Sequence, residues 1–151
     1  MGKTECPLIR FARFQIKLRK ARGLANRNRQ HAGGEWVELH NQMSVEMDIS
    51  NWSLAGGVDF TFPEGTRIAG DRYLVIASDP ENIVGDNVLG PFLGSLSNAG
   101  EDLLLINNSG RLMNRVDYGD NGDWPVGPDG GGVSLAKSNR NGPSDDPANW
   151  T

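Results

Sequence analysis

Along most of this 151-residue chain, short runs alternate apolar with polar residues, and each run ends at glycine, proline or asparagine. A two-residue period puts every second side chain on the same face of an extended strand, whereas a helix needs apolar residues three and four apart. Val37 and Leu39 share a face, as do Met47 and Ile49, then Trp52 and Leu54, then Val58, Phe60 and Phe62. Pro63 ends the last of these, because it has no N–H to give to a ladder. Outside the first thirty-one residues, no stretch of a dozen residues carries a helical period. A chain written this way has to bury one face of several strands against one face of several others.

The remaining runs fit that scheme. Tyr73–Ala77 and Leu103–Ile106 are continuously apolar, a pattern predicting strands covered on both faces. Asp79-Pro80 stops the first, and Asn107-Asn108-Ser109-Gly110 reads as a hairpin turn leading into Leu112–Tyr118. Residues 81–101 read as a long loop holding Pro91-Phe92, residues 119–132 as a Gly/Asp/Pro loop around Trp124, and Val133–Lys137 as the last strand. About eight short strands, with turn signals every ~8–12 residues, predict an all-β sandwich. Its predicted core is Val37, Leu39, Ile49, Trp52, Leu54, Phe60, Phe62, Leu74, Ile76, Leu103, Leu105, Val116 and Leu135.

Charge divides the chain. Residues 1–31 hold nine basic residues and one acid, a net +8, while the other 120 hold six basic and 18 acidic, a net −12. We therefore divide it into a basic arm (1–33), a body (34–137) and a polar C-terminal tail (138–151). Within the arm, Phe14, Ile16 and Leu18 alternate with polar residues, so the arm holds either one edge strand or sequence foreign to the domain. The single cysteine, Cys6, allows no internal disulfide. The N-terminus lacks the apolar stretch of a signal peptide, and no apolar run approaches the ~18 residues of a membrane span. Met1–Cys6 misses a myristoylation signal because Cys6 stands where Ser or Thr is required.

Several motifs touch on chemistry. Ser134-Leu135-Ala136-Lys137 has the spacing of an S-x-x-K nucleophile, and Gly132-Val133-Ser134 mimics part of a nucleophile elbow, but both need a helix where this segment alternates like a strand. Cys6, His31 and His40 are too few and too scattered for a structural zinc site or a thiol–imidazole dyad, and His40 is expected at an exposed strand end. Asp117, Asp120, Asp123 and Asp129 could offer oxygen ligands to calcium, with solvated turn carboxylates as the simpler account. Trp36, Trp52 and Trp124 read as core or core-edge residues before they read as a ligand platform. Arg10, Arg13, Lys17, Arg19, Lys20 and Arg22, with Phe11 and Phe14 among them, are candidates for phosphate contacts, although the acidic body opposes a nucleic acid. Asn51-Trp52-Ser53, Asn107-Asn108-Ser109 and Asn149-Trp150-Thr151 fit glycosylation acceptors in an asparagine-rich chain.

Taken in order, the segments resemble the lamin-tail domain family. Glu35–Asn41 resembles its opening strand motif, Asp48–Leu54 its "dLsgW.L" segment and Phe60–Thr66 its "f.FP.gt" segment. Leu96–Glu101 resembles "LsN.gE", Val116–Tyr118 with Trp124-Pro125 the "vD…WP" end, and Val133–Leu135 the closing strand. The likeness covers residues 34–137 and is nearest to bacterial members, which often sit in large extracellular proteins, some with a spore-coat-H kinase-like domain. It implies an immunoglobulin-like sandwich, an interaction or attachment role in a secreted or surface protein, and neither a reaction nor a cofactor. One departure stands out: the apolar–acidic first strand usual in the family is replaced by arginines and Asn26–Gln30, so Phe14–Leu18 either substitutes for it or the native strand is missing. The alternative function is polyanion or nucleic-acid binding through the arm. Both readings expect a folded core around Trp52, so Trp52→Ala should cost about 3–5 kcal/mol of a total near 5–15 kcal/mol. Urea denaturation followed by far-UV circular dichroism measures this, and a helix-dominated spectrum would refute the sandwich.

Overall fold

The computed structural model describes residues 14–19, 34–97, 99–125, 134–139 and 142–151, with residues 14–19 and 134 described by their backbone alone. Among them run twelve strands: β1 (Phe14–Arg19), β2 (Trp36–Asn41), β3 (Met47–Asp48), β4 (Ser53–Gly56), β5 (Val58–Thr61), β6 (Arg67–Ile68), β7 (Tyr73–Ala77), β8 (Val88–Leu89), β9 (Leu93–Gly94), β10 (Gly100–Ile106), β11 (Leu112–Gly119) and β12 (Ser134–Leu135). One sheet has the order β12-β1-β2-β7-β8, the other β11-β10-β4-β5-β9, and β3 with β6 forms a small separate ladder. All pairings are antiparallel except β7 with β8. The fold is the all-β, immunoglobulin-like sandwich that the sequence predicts. It has more strands than expected because five of the twelve are two residues long, too short to show a period.

The two sheets bury their facing rows. Val37 and Leu39 of β2 with Leu74 and Ile76 of β7 meet Leu54, Leu103, Leu105 and Val116 of the second sheet. Of the predicted core, Phe60 alone is only half-buried, its ring set edge-on to Phe62 at 5.2 Å between centroids. The core also takes in Val58, Ile68, Ala77, Phe92, Leu96, Tyr118 and Trp150. Phe92 and Leu96 lie in the segment read as a loop, which instead contains β8, β9 and the start of β10. Short as they are, those ladders let the chain cross between sheets while dipping apolar side chains into the core.

Two further expectations change. The continuous apolar runs are not covered on both faces: Tyr73 is exposed, and Val75, Leu104 and Ile106 are half-buried. The segment 142–151, read as a polar tail, packs onto the body. Trp150 is buried, its indole N–H donates to the Ser144 carbonyl at 2.9 Å, and its ring lies 6.2 Å from that of Trp124. Ala136 and Thr151 exchange backbone hydrogen bonds, and Asn149, also buried, donates its side-chain amide to the Pro143 carbonyl. A single tryptophan among polar residues gives no period, which is why the sequence hides this contact.

Part of the basic arm forms a strand of the first sheet. Phe14–Arg19 pairs with β2 over its whole length, from Phe14 opposite Asn41 to Arg19 opposite Trp36, and with Leu135 and Ser134 on its other side. β1 therefore lies between β2 and β12 in the first sheet. Because Trp150 closes one end of the core, Trp150→Ala should cost about 3–5 kcal/mol, as large aromatic truncations do. A free tail would give no change in the urea midpoint.

Candidate interaction face

Among the described residues, those that could have carried chemistry are not brought together. Ser134 opens β12 in register with Arg19, and Lys137 forms an isolated bridge with Trp150 while its ammonium donates to Ser144 Oγ at 3.1 Å. The segment is extended, so the helical turn that an S-x-x-K nucleophile needs is not formed there. Cys6, His31, Asp129, Arg10, Arg13, Lys20 and Arg22 lie outside the described residues. Lys17 and Arg19 stand in β1 opposite Glu38 and Trp36. Asp117 and Asp123 are exposed and Asp120 half-buried; Asp117 lies 3.7 Å from the Arg115 guanidinium. Among the described residues, no group of three or more His, Cys, Asp or Glu side chains is placed to hold a metal ion. Trp52 is in the core, and Trp36 and Trp124 are half-buried, with Trp124 packed against it.

His40 differs from its expected exposed strand end: only 2% of it is accessible. Its ring stacks on Tyr73, centroids 4.2 Å apart, and its Nε2 lies 2.9 Å from Asp71 Oδ1. A carboxylate only accepts, so Nε2 carries a hydrogen, and Nδ1 is buried with no partner among the described residues. Neighbouring Asn41, also buried, donates to the carbonyls of Val45, Ile68 and Ala69 and accepts from the Met43 N–H. Together these two residues tie the end of β2 to the turns around 43–46 and 68–71. A strand end reads as exposed from sequence; here two loops fold back over it.

Polar side chains also fix the approach to β10. Glu35 Oε2 accepts the Leu96 N–H at 2.8 Å, Glu101 Oε2 accepts the Ser97 N–H at 3.0 Å, and the Tyr118 hydroxyl donates to the Ser97 carbonyl at 2.8 Å. The Glu101 carboxylate lies over Gly57, where any Cβ would collide with it. Burial pushes the Tyr118 phenol well above its ordinary pKa, and the negative charges of Glu101 and Glu35 add to that.

With the inner row fixed, the outer row of the second sheet follows by alternation. Leu104 pairs with Ala55 on β4 and Arg115 on β11, Ile106 with Ser53 and Leu112, Asp102 with Asp117, and Asp59 with Leu93 on β9. A bulge after Leu105 shifts the register, so that Leu112 sits opposite Ile106 while Met113 packs against the core. The result is an apolar line from Leu112 through Ile106, Leu104 and Ala55, with Leu93 at the opposite edge of the same face. Leu112 is 50% and Leu93 70% accessible. Sequence reasoning took Leu104 and Ile106 as doubly covered; the same unbroken apolar run is the signal for this face.

Comparison with known families matches residues 21–120 to the Lamin Tail Domain. A search of curated proteins returns no match.

The Tyr118 phenol holds its proton beyond the unfolded value of about 10, so its contribution is present below about pH 10 and is lost as pH rises from there toward the folded value. Tyr118→Phe should lose about 0.5–1.5 kcal/mol at neutral pH with the hydrogen bond. Its stability should then fall less steeply than that of the parent chain in the alkaline range. Urea midpoints at neutral pH and above about pH 10 compare the two slopes, and parallel slopes would remove Tyr118 as their source.

Proposed function

The chain belongs to the lamin tail domain family, an immunoglobulin-like, non-enzymatic domain family, and from that premise we propose that it is a non-catalytic interaction and attachment module of the bacterial type, working within a larger secreted or surface protein. What supports this above all is the outer face of β10. Leu104 and Ile106 belong to a strand whose composition suits cover on both sides, and the fold covers one side fully and leaves these two half-buried on the other. Attachment through a sheet face needs no nucleophile, metal or cofactor. It needs a rigid body that presents apolar side chains at fixed spacing, which β4, β10 and β11 supply. The competing reading, polyanion binding, uses Lys17 and Arg19, but it places Lys17 in register with Glu38, an opposing charge on the neighbouring strand.

Immunoblotting of fractions from the producing cells, with an antibody to this chain, tests the proposal. The expected band lies well above the 16.4 kDa of this sequence and appears in the medium or the surface-released fraction. A band of the chain's own mass, confined to the cytosol, would overturn it.

A further inference from the structure

We propose that the outer face of the β11-β10-β4-β5-β9 sheet receives a partner protein whose contact surface is apolar and carries lysine or arginine. This rests on the reading of the domain as an interaction module and names the chemistry of what it binds. Of the five large hydrophobic side chains that stand exposed among the described residues, two, Leu93 and Leu112, lie on this one face at opposite edges. Leu104, Ile106 and Ala55 bridge from Leu112 toward the middle. With strands ~4.8 Å apart, five of them make a face about 20 Å across, wide enough for one flat contact.

The charges on this face decide what can cover it. Among the described residues of this face, Asp59, Asp102 and Asp117 stand with a single base, Arg115. Both carboxylate oxygens of Asp102 accept from that guanidinium, at 2.8 and 3.0 Å, and Asp117 lies 3.7 Å from it. Asp145, from the C-terminal segment, adds to the negative field around Arg115. Among the described residues, one base matched against three acids of the sheet leaves the face net negative, and Asp145 adds to that. A second copy of the chain packed face to face would set these carboxylates against themselves, and like charges brought together across an interface are costly. An apolar surface bearing cations meets both the leucines and the aspartates.

The test is a 1H–15N titration of the full chain with a short peptide of alternating leucine and lysine, and in parallel with its leucine–glutamate counterpart. Shift changes should gather at Asp59, Leu93, Leu104, Ile106, Leu112 and Arg115, and the glutamate peptide should cause none. Replacing Leu93 and Leu112 by Lys should weaken the lysine peptide by about tenfold or more, and because both side chains are exposed the melting temperature should hold. Shifts scattered over other acidic surfaces, equal binding of both peptides, or undiminished binding by the double variant would overturn the proposal. So would a concentration-dependent dimer that Leu112→Lys abolishes, since the occupant would then be a second copy. These outcomes are independent of where the protein is found in cell fractions, so the partner chemistry can fail while the larger-protein reading stands, and the reverse.

Discussion

Burial of Leu103 and Leu105 between the sheets fixes the parity of β10, and almost everything else in the second sheet depends on it. Each fully buried leucine contributes about 1.5–3 kcal/mol relative to exposure. A slip of one residue would turn that pair outward and Leu104 and Ile106 inward. The pairing of Leu54 with Leu105 and of Val116 with Leu103 propagates the same parity to β4 and β11. The outer face is thus not selected separately: once the inner row is packed, Leu104, Ile106, Asp102, Arg115 and Asp117 have nowhere else to point.

The loops are held by a different means. Backbone groups that leave a ladder need partners, and here side chains supply many of them. Asn41 serves three carbonyls and one N–H, Glu35 and Glu101 each take an N–H of the segment before β10, and Asn107 accepts from Ser109 and Arg111 in the β10–β11 hairpin. Ser50 in turn accepts the Gly65 N–H and receives its own cap from Asp48, which lowers the Asp48 pKa. Glu35, Asn41, Asp48, Ser50 and Glu101 fall within the segments that resemble the family, so those segments carry loop fixings beside their core residues.

How much of this was legible follows from the length over which each feature repeats. Val37 with Leu39, Leu54, Val58 with Phe62, and Val116 announce their strands because the period runs for several residues. β8 and β9 cannot, at two residues each, and Trp150 cannot, standing alone in a polar stretch. The burial of His40 does not show in the sequence, because burial at a strand end depends on loops distant along the chain, here residues 69–72. The interaction face was half visible. An unbroken Leu-Leu-Leu-Ile run says that two faces want cover, and only the fold shows which of them the domain covers in part.

The position of β1 carries a consequence for the order of assembly. It pairs with β2, next along the chain, and with β12, near the far end, so the first sheet joins one local contact to one of the longest-range contacts available. Long-range pairings form against a larger loss of chain entropy and tend to come late. The hairpin of β1 and β2 can form early during synthesis, but its outer rim stays unpaired until Ser134 and Leu135 have been made. For that interval the nascent domain carries an open, strand-shaped edge, and the speed of its last pairing governs how long neighbouring chains have access to it.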